Sequence, residues 1–436
     1  MSSSDSKPLK IAVAGLGTVG ATVVRLLQVQ ASLIEARCGR PIVVTAISAR
    51  DRAKDRGFDV GNLAWFDDAA EMASKADADV VVEVIGGSDG IARAVVDNAI
   101  AAGRHVVTAN KALLAIHGAE IARAADAAGV TVAYEAAVAG GIPIIKALKE
   151  GLAANRIDRL HGILNGTCNY ILTTMRQTGR DFADVLAEAQ ALGYAEADPS
   201  FDIDGVDAAH KLALLAALAF GRLPDFAGVT VEGIRHIAAE DISYAEELGY
   251  RIKLLGIAER AADGSVAQRV TPVLVPMDTP IAAVEGVYNA VVTHGDFVGS
   301  TVLEGRGAGD GPTASAVAAD LMDIAAGRSS PMFGVPLDRL EAGRTCPISA
   351  RRGEYYVRLM VQDKPGVFAD LAAILRDCDI SIGSAIQRAR SDSAAVPLVL
   401  TMHETSEASM QDALNRITAL GSVSEPPRMI RIEKFA

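Results

Sequence analysis

The first 135 residues alternate short apolar runs with longer Ala-rich stretches. Ile11–Ala14, Ile42–Ser48, Val80–Ile85, His105–Thr108 and Val130–Tyr134 are rich in Val and Ile and predict strands. Ala21–Gln30, Ile91–Ala102 and Ala119–Ala128 predict helices between them. Gly103 and Gly129 stand where two of these helices would end in a left-handed cap. Strands alternating with helices predict βαβ units and a mainly parallel sheet. The run Asp79-Val-Val-Val-Glu-Val-Ile is almost unbroken, as expected of a strand covered on both faces.

The middle of the chain is less regular and reads as mixed α and β. Gly141–Gly151 predicts a helix entered through Pro143, and Phe182–Leu192, Ala208–Phe220 and Ser243–Ala258 predict three more. Ala267–Pro276 predicts a strand. Pro331–Ser349 holds three prolines and two glycines in nineteen residues and reads as a linker. Beyond it the pattern resets: strand Tyr355–Val361, helix Gly366–Cys378, strands Ile380–Ala389 and Val396–His403, helix Met410–Leu420 and strand Met429–Lys434. That order is βαββαβ, a ferredoxin-like unit.

Composition narrows the function classes. Half of the 436 residues are apolar and 22% are charged, ordinary for packed globular domains. The longest clean apolar run, Leu212–Phe220, falls far short of the roughly 20 residues that span a bilayer. Met1–Lys10 is polar and lacks the apolar segment of a signal peptide, so the cytoplasm is the expected compartment and no membrane partner is expected. Acidic residues outnumber basic ones 54 to 42, which argues against a nucleic-acid partner. Cys38, Cys168, Cys346 and Cys378 are scattered, without zinc-ligand spacing or a disulfide framework.

Gly15-Leu-Gly17-Thr18-Val19-Gly20 follows the first predicted strand and opens the first predicted helix. In that context Gly15 permits a tight turn, Gly17 lets the backbone approach a pyrophosphate, and Gly20 lets helix pack on strand. The free N–H groups of the helix start would face the phosphates. A glycine turn that only closes a βαβ unit is the alternative. The second strand ends Ile47-Ser48-Ala49-Arg50, without an acid until Asp51. Ser48 and Arg50 suit the 2′-phosphate of NADP better than the bare ribose of NAD. The competing reading is a solvated face in which Arg50, Arg52 and Lys54 balance Asp51 and Asp55.

Between Glu196 and Lys211 lie five carboxylates and one lysine: Glu196, Asp198, Asp202, Asp204, Asp207 and Lys211. Asp207 and Lys211 are four apart at the head of an apolar helix and project from one face. By residue type this is either an acidic helix cap with a salt bridge, or a site for a cation or amino group with a lysine for acid–base work.

The segment Ala189-x-x-x-Gly193, Asp198-Pro199, Asp202-Ile203, Gly205, Asp207, Lys211 resembles the homoserine dehydrogenase signature. The glycine loop, Thr108-Ala109-Asn110-Lys111, Glu135–Pro143, Asn165-Gly-Thr-Cys168-Asn-Tyr170 and Gly305-Arg-Gly-Ala-Gly309 resemble that family in the same order. The resemblance spans residues 10–435, and Asp363-Lys-Pro-Gly366-Val-Phe resembles an ACT domain. It implies an α/β fold. An N-terminal Rossmann dinucleotide-binding domain (1–140, with a returning segment near 305–330) would precede a central α+β catalytic and dimerisation domain (141–304). A linker (331–349) would lead to a ferredoxin-like ACT domain (350–436).

It also implies interconversion of L-aspartate 4-semialdehyde and L-homoserine by hydride transfer with NADPH or NADH. Lys211 and Lys111 would face the reacting oxygen, with Lys211 the acid–base residue. Glu196 and Asp207 would bind substrate, Asp207 through its amino group, with Asp202 in support. Gly15, Gly17, Thr18, Val19, Gly20, Ser48, Arg50, Lys111 and Gly309 would meet the cofactor. The backbone at Glu135, Val138, Gly140 and Ile142 would hold an alkali-metal ion, usually sodium. L-Threonine is the expected effector, and a homodimer or homotetramer the expected assembly. An ammonium beside the aldehyde oxygen suits this chemistry, because negative charge grows there as hydride adds. Two other functions remain open. An aspartate-semialdehyde dehydrogenase would need a cysteine nucleophile, and Cys168, with no histidine beside it in sequence, reads as structural. A nucleotide- and amino-acid-sensing protein would need no catalytic set.

Overall fold

The computed structural model describes residues 7–341, 343–388 and 395–435. Met1–Ser6 of the polar N-terminal stretch and Ala389 at the end of one expected strand lie outside the described residues. The first sheet contains β1 (Leu9–Ala14), β2 (Ile42–Ser48), β3 (Ala64–Phe66), β4 (Val80–Glu83), β5 (His105–Thr108) and β6 (Val132–Ala133). Its order is β3-β2-β1-β4-β5-β6, parallel throughout, the doubly wound Rossmann arrangement.

Side chains along β1 alternate between two cores, as the two-residue repeat of a strand requires. Ile11 and Val13 pack with Val23, Val24 and Leu27 of the helix Thr18–Val29 and with Val317 and Leu321 of the helix Asp310–Ala325. Ala12 and Ala14 face Val95 and Val96 of the helix Ile91–Ala101 and Leu113 and Leu114 of the helix Lys111–Ala128. The chain therefore returns at residues 310–325 to cover the first sheet. β3 had no counterpart in the sequence pattern, being only three residues long.

The second sheet has ten strands: β7 (Ile157–Ile163), β8 (Val229–Val231), β9 (Tyr250–Arg260), β10 (Val266–Pro276), β11 (Tyr288–Gly295), β12 (Gly299–Arg306), β13 (Arg352–Gln362), β14 (Ile382–Ile386), β15 (Ala395–Ser406) and β16 (Arg428–Ile432). The helix expected over Ser243–Ala258 is corrected here. A helix spans Ala239–Glu247, Gly249 turns in the left-handed region at φ +82°, and β9 follows. β9 pairs with β10 along all eleven of its residues. Its inner residues are buried on both faces, so periodicity alone could not separate this strand from a buried helix. The expected helix Gly141–Gly151 is also modified: one turn, Ile144–Lys146, widens into a π-helical turn over Ala147–Gly151.

The C-terminal unit has the expected βαββαβ order, with helices Val367–Asp377 and Glu407–Thr418. Its last strand does more than close it. β16 lies between β13, antiparallel, and β10, parallel, so the sheets of the two domains are one. Phe435 then stacks on His161 of the central domain, ring centroids 3.5 Å apart. The linker is packed as well: Phe333 is buried against Tyr134, and Cys346 N–H donates to the Val266 carbonyl.

Candidate active site

The helix Val206–Phe220 is buried almost all round beneath the second sheet, and its first turn carries Asp207. Asp207 and Lys211, one turn apart, meet at 2.7 Å between Nζ and Oδ2. Lys211 Nζ also donates to the Leu164 carbonyl at 2.8 Å. From the nucleotide-binding domain, Lys111 brings its Nζ to 3.2 Å from Asp207 Oδ1. Lys111 is the first residue of its helix, whose start is capped by Asn110 Oδ1 accepting from Leu113 N–H. One carboxylate thus holds both lysines, from two domains.

Asn165 completes the cluster. Its amide donates to Asp202 Oδ1 at 2.8 Å and to Asp207 Oδ2 at 2.9 Å. Its own oxygen caps the helix Gly166–Thr178 by accepting from Cys168 N–H. Burial alone would push the Asp207 carboxyl up, but Lys211, Lys111 and the hydrogen bonds from Lys211 and Asn165 together hold it well below the usual carboxylate range. Asp207 therefore stays charged at neutral pH, and the stability its ion pairs lend is lost only as pH falls below the ordinary range of aspartate. Burial raises the Asp202 carboxyl instead, against the Asn165 bond.

Counting donors shows what remains for a ligand. An ammonium has three N–H donors, and Lys211 uses two of them on Asp207 and Leu164. A carboxylate has about four acceptor positions, and three on Asp207 are taken by Lys211, Lys111 and Asn165. Asp207 thus organises the lysine pair, with one acceptor position left. Glu196 is exposed, and among the described residues only its backbone carbonyl is engaged, by Gln190. The structure does not bring its carboxylate into the Asp202–Asp207–Lys111–Lys211 group.

Cys168 is buried, its Sγ directed at the Asp202 carbonyl 3.3 Å away. Burial pushes this thiol well up, so it is no thiolate nucleophile.

The glycine loop Gly15–Gly20 joins β1 to the helix Thr18–Val29. A Cβ at Gly20 would lie 1.9 Å from the Gly15 carbonyl oxygen, so only glycine lets this helix approach the strand. In front of Gly17 there is open space, the cradle a pyrophosphate needs. Thr18 and Val19 begin the helix behind it. Ser48 is buried at the end of β2, its carbonyl accepting from Gly15 N–H, and Arg50 is exposed just beyond. In the same loop Asp51 accepts from Ala53 N–H and Asp55 from Gly57 N–H. Gly309, at φ +115°, precedes the returning helix Asp310–Ala325.

Glu83 was not singled out by the sequence, although a lone acid in an apolar strand is itself a signal. It is fully buried, accepts from Ile85 and Gly86 N–H, and takes the Thr108 hydroxyl at 2.6 Å. With Asn110 donating to the Gly87 carbonyl, it ties the β4 loop to Lys111.

The segment proposed for a cation runs from Glu135 through Ile142. The Glu135 carboxylate accepts from Ile145 and Lys146 N–H, one bond to each oxygen. Burial, then Asp320, raises its carboxyl to about 7. Ala139 and Gly140 are both left-handed, at φ +56° and +47°, and a Cβ at Gly140 would meet the Gly307 carbonyl at 2.6 Å. This irregular backbone supplies uncharged carbonyl oxygens, the donor type that suits a hard cation. It also abuts the segment leading to Gly309.

Family profiles agree along the chain: the homoserine dehydrogenase NAD-binding domain matches residues 15–135, homoserine dehydrogenase 143–322, and the ACT domain 355–422. A homoserine dehydrogenase of Pseudomonas aeruginosa is 48% identical, the match covering 98% of this chain and 100% of that protein. The crystal structure of one from Thiobacillus denitrificans superposes with a TM-score of 0.92 at 47% identity, covering 99% of each chain. That of Staphylococcus aureus gives 0.77 at 32% identity, covering 98% of this chain and 99% of that one. A nucleotide cradle, a lysine pair on one buried aspartate and full-length likeness converge: the chain belongs to the homoserine dehydrogenase family.

Proposed function

We propose that this oxidoreductase passes a hydride between NADPH and the C4 carbon that interconverts L-aspartate 4-semialdehyde and L-homoserine, in the biosynthesis of threonine, methionine and isoleucine. The observation that carries the reading is the Lys211 ammonium, held on two sides by Asp207 and Leu164 with its third N–H unused. That N–H donates to the aldehyde oxygen, stabilises the growing alkoxide and delivers its proton; in the reverse direction the neutral amine takes it back. Lys111 stands on the same carboxylate from the cofactor side. The substrate ammonium is met by Asp202, by Glu196 and by the remaining acceptor position of Asp207. The nicotinamide supplies the hydride when bound.

Gly15, Gly17 and Gly20 with the helix start at Thr18 and Val19 hold the pyrophosphate, and Gly309 closes on the cofactor from the returning segment. The backbone oxygens of Glu135, Val138, Gly140 and Ile142 hold a sodium ion between the cofactor and substrate regions. We assign the nucleotide-binding domain to residues 1–140 with 305–330, the catalytic domain to 141–304 and the ACT domain to 350–436. The assembly is a homodimer or homotetramer in the cytoplasm; among the described residues no helix is long and apolar enough to cross a membrane.

The assay is reduction of NADP⁺ by L-homoserine, followed by nicotinamide absorbance. Homoserine-dependent reduction is expected, and none with either cofactor from about pH 7 to 10, the range over which a lysine base becomes available, would overturn the reading. For the cofactor, Ser48 and Arg50 favour NADPH. Arg50→Ala is expected to weaken NADPH about ten- to a hundredfold, the size of a lost charge-assisted contact, with a smaller loss for NADH; equal losses would make Arg50 a surface charge only. L-Threonine is the effector, bound at the turn Asp363–Gly366 before the helix Val367–Asp377. Millimolar threonine should inhibit the full chain, and an unchanged rate would remove that role.

A further inference from the structure

We propose that Arg56 and Trp65 are positioning residues that hold Arg52 and the loop carrying Arg50 as a preformed seat for the 2′-phosphate, which makes them determinants of cofactor choice; this rests on the NADPH reading above. Arg56 is buried, and three of its nitrogens donate to backbone carbonyls. Nε reaches Leu16 in the glycine loop at 3.4 Å, Nη1 reaches Lys54 at 2.6 Å, and Nη2 reaches Asp51. One rigid guanidinium thus clasps the loop that cradles the pyrophosphate to the loop that carries Arg50, Arg52 and Lys54. A lysine, a point donor on a flexible stem, could not reproduce that planar set.

Trp65 gives the second half. It stands on β3, in register with Ile47, next to the Ser48 end of β2 where the ribose would lie. Its Nε1–H donates to Asp67 at 2.9 Å, which fixes the ring. The guanidinium carbons of Arg52 and Arg56 lie 5.5 and 5.6 Å from the ring centroid. A ring face orients a guanidinium without neutralising it. Asp51 and Asp55, the nearest acids in sequence, each turn an oxygen to a backbone N–H. The end of β2 therefore carries a clasped Arg56 and an Arg52 guanidinium stacked on Trp65, in the same loop as Arg50. A phosphate monoester, with close to two negative charges and several acceptor oxygens, matches it; a ribose hydroxyl does not.

The test measures Kd for NADP⁺ and NAD⁺ by titration calorimetry on the full chain and on Arg52→Gln, Trp65→Leu and Arg56→Lys. Trp65 is the only tryptophan, so its emission reports the same site. Wild type should prefer NADP⁺, and 2′,5′-ADP should shift the emission where 5′-AMP does not. Each variant should raise Kd for NADP⁺ about tenfold, the loss of one charge-assisted contact, and leave NAD⁺ within about twofold of wild type. Equal weakening of both cofactors would make the clasp a support for the glycine loop alone, and unchanged NADP⁺ binding would remove both residues from recognition; either overturns the proposal. If Arg56→Lys fails to fold, the Arg52 and Trp65 variants decide. A wild type that binds the two cofactors equally would refute the NADPH reading itself, a distinct result.

Discussion

Replacing Lys211 by alanine is expected to lower kcat by about 10²–10⁴-fold, the contribution of a positioned acid–base group, while the fold and cofactor binding persist. The truncation removes the one donor that Asp207 and Leu164 aim. It does not strand Asp207, which keeps Lys111 at 3.2 Å and Asn165 at 2.9 Å. An intact thermal transition is therefore expected beside the lost rate, with KM changed much less than kcat because the substrate ammonium is held by other groups. Asn165→Ala separates alignment from chemistry: it leaves Lys211 in place but loosens Asp202 and Asp207, and should cost less in kcat than Lys211→Ala. A Lys211→Ala protein that turns over at the wild-type rate would place the proton transfer on another residue.

What could be read from the sequence was what is local. Gly15, Gly17 and Gly20 announce a nucleotide turn because their spacing and the flanking periodicities fall within one βαβ unit. Asp207 and Lys211 could be placed on one face because they share a helix. The C-terminal βαββαβ order came from short, cleanly alternating segments. Long-range pairings were hidden. Asn165 shows no sign of its two carboxylates, because Asp202 and Asp207 lie 37 and 42 residues away. Arg56 gives no sign of its bond to the Leu16 carbonyl, 40 residues earlier in the chain. β9 is apolar on both faces and gave no period to distinguish it from a helix. Glu196 stands inside the signature, yet its carboxylate stays outside the hydrogen-bonded group, since a signature records order along the chain and not convergence in space.

The least legible feature was the seam between the catalytic and C-terminal domains, and Arg358→Ala is expected to open it. Pro331–Ser349 reads as a tether, but β16 inserts between β10 and β13, so the C-terminal unit cannot be cut away without baring the edge of β10. The seam is also closed by charge. Asp241, on the helix Ala239–Glu247, is 1% exposed and accepts from Arg358 Nε at 2.7 Å, Arg358 Nη2 at 3.0 Å and the Tyr356 hydroxyl at 3.0 Å. The hydrogen bond to Asp241, against burial, holds the Arg358 guanidinium above its ordinary value. Burial and then Asp241 keep the Tyr356 hydroxyl protonated as a donor. Removing Arg358 leaves a buried carboxylate without its cation, which costs about 3–5 kcal/mol in pairs of this kind. Urea unfolding should show that loss in Arg358→Ala, and Asp241→Asn combined with Arg358→Met should recover part of it, because the double variant buries no lone charge. Strict additivity of the two single losses would mean that the pair is not coupled. Inhibition by threonine should weaken in the same Arg358→Ala protein, since a ligand on the C-terminal unit can bias the catalytic cluster only through contacts that differ between two states, and Arg358–Asp241 is a buried charge contact between the two units.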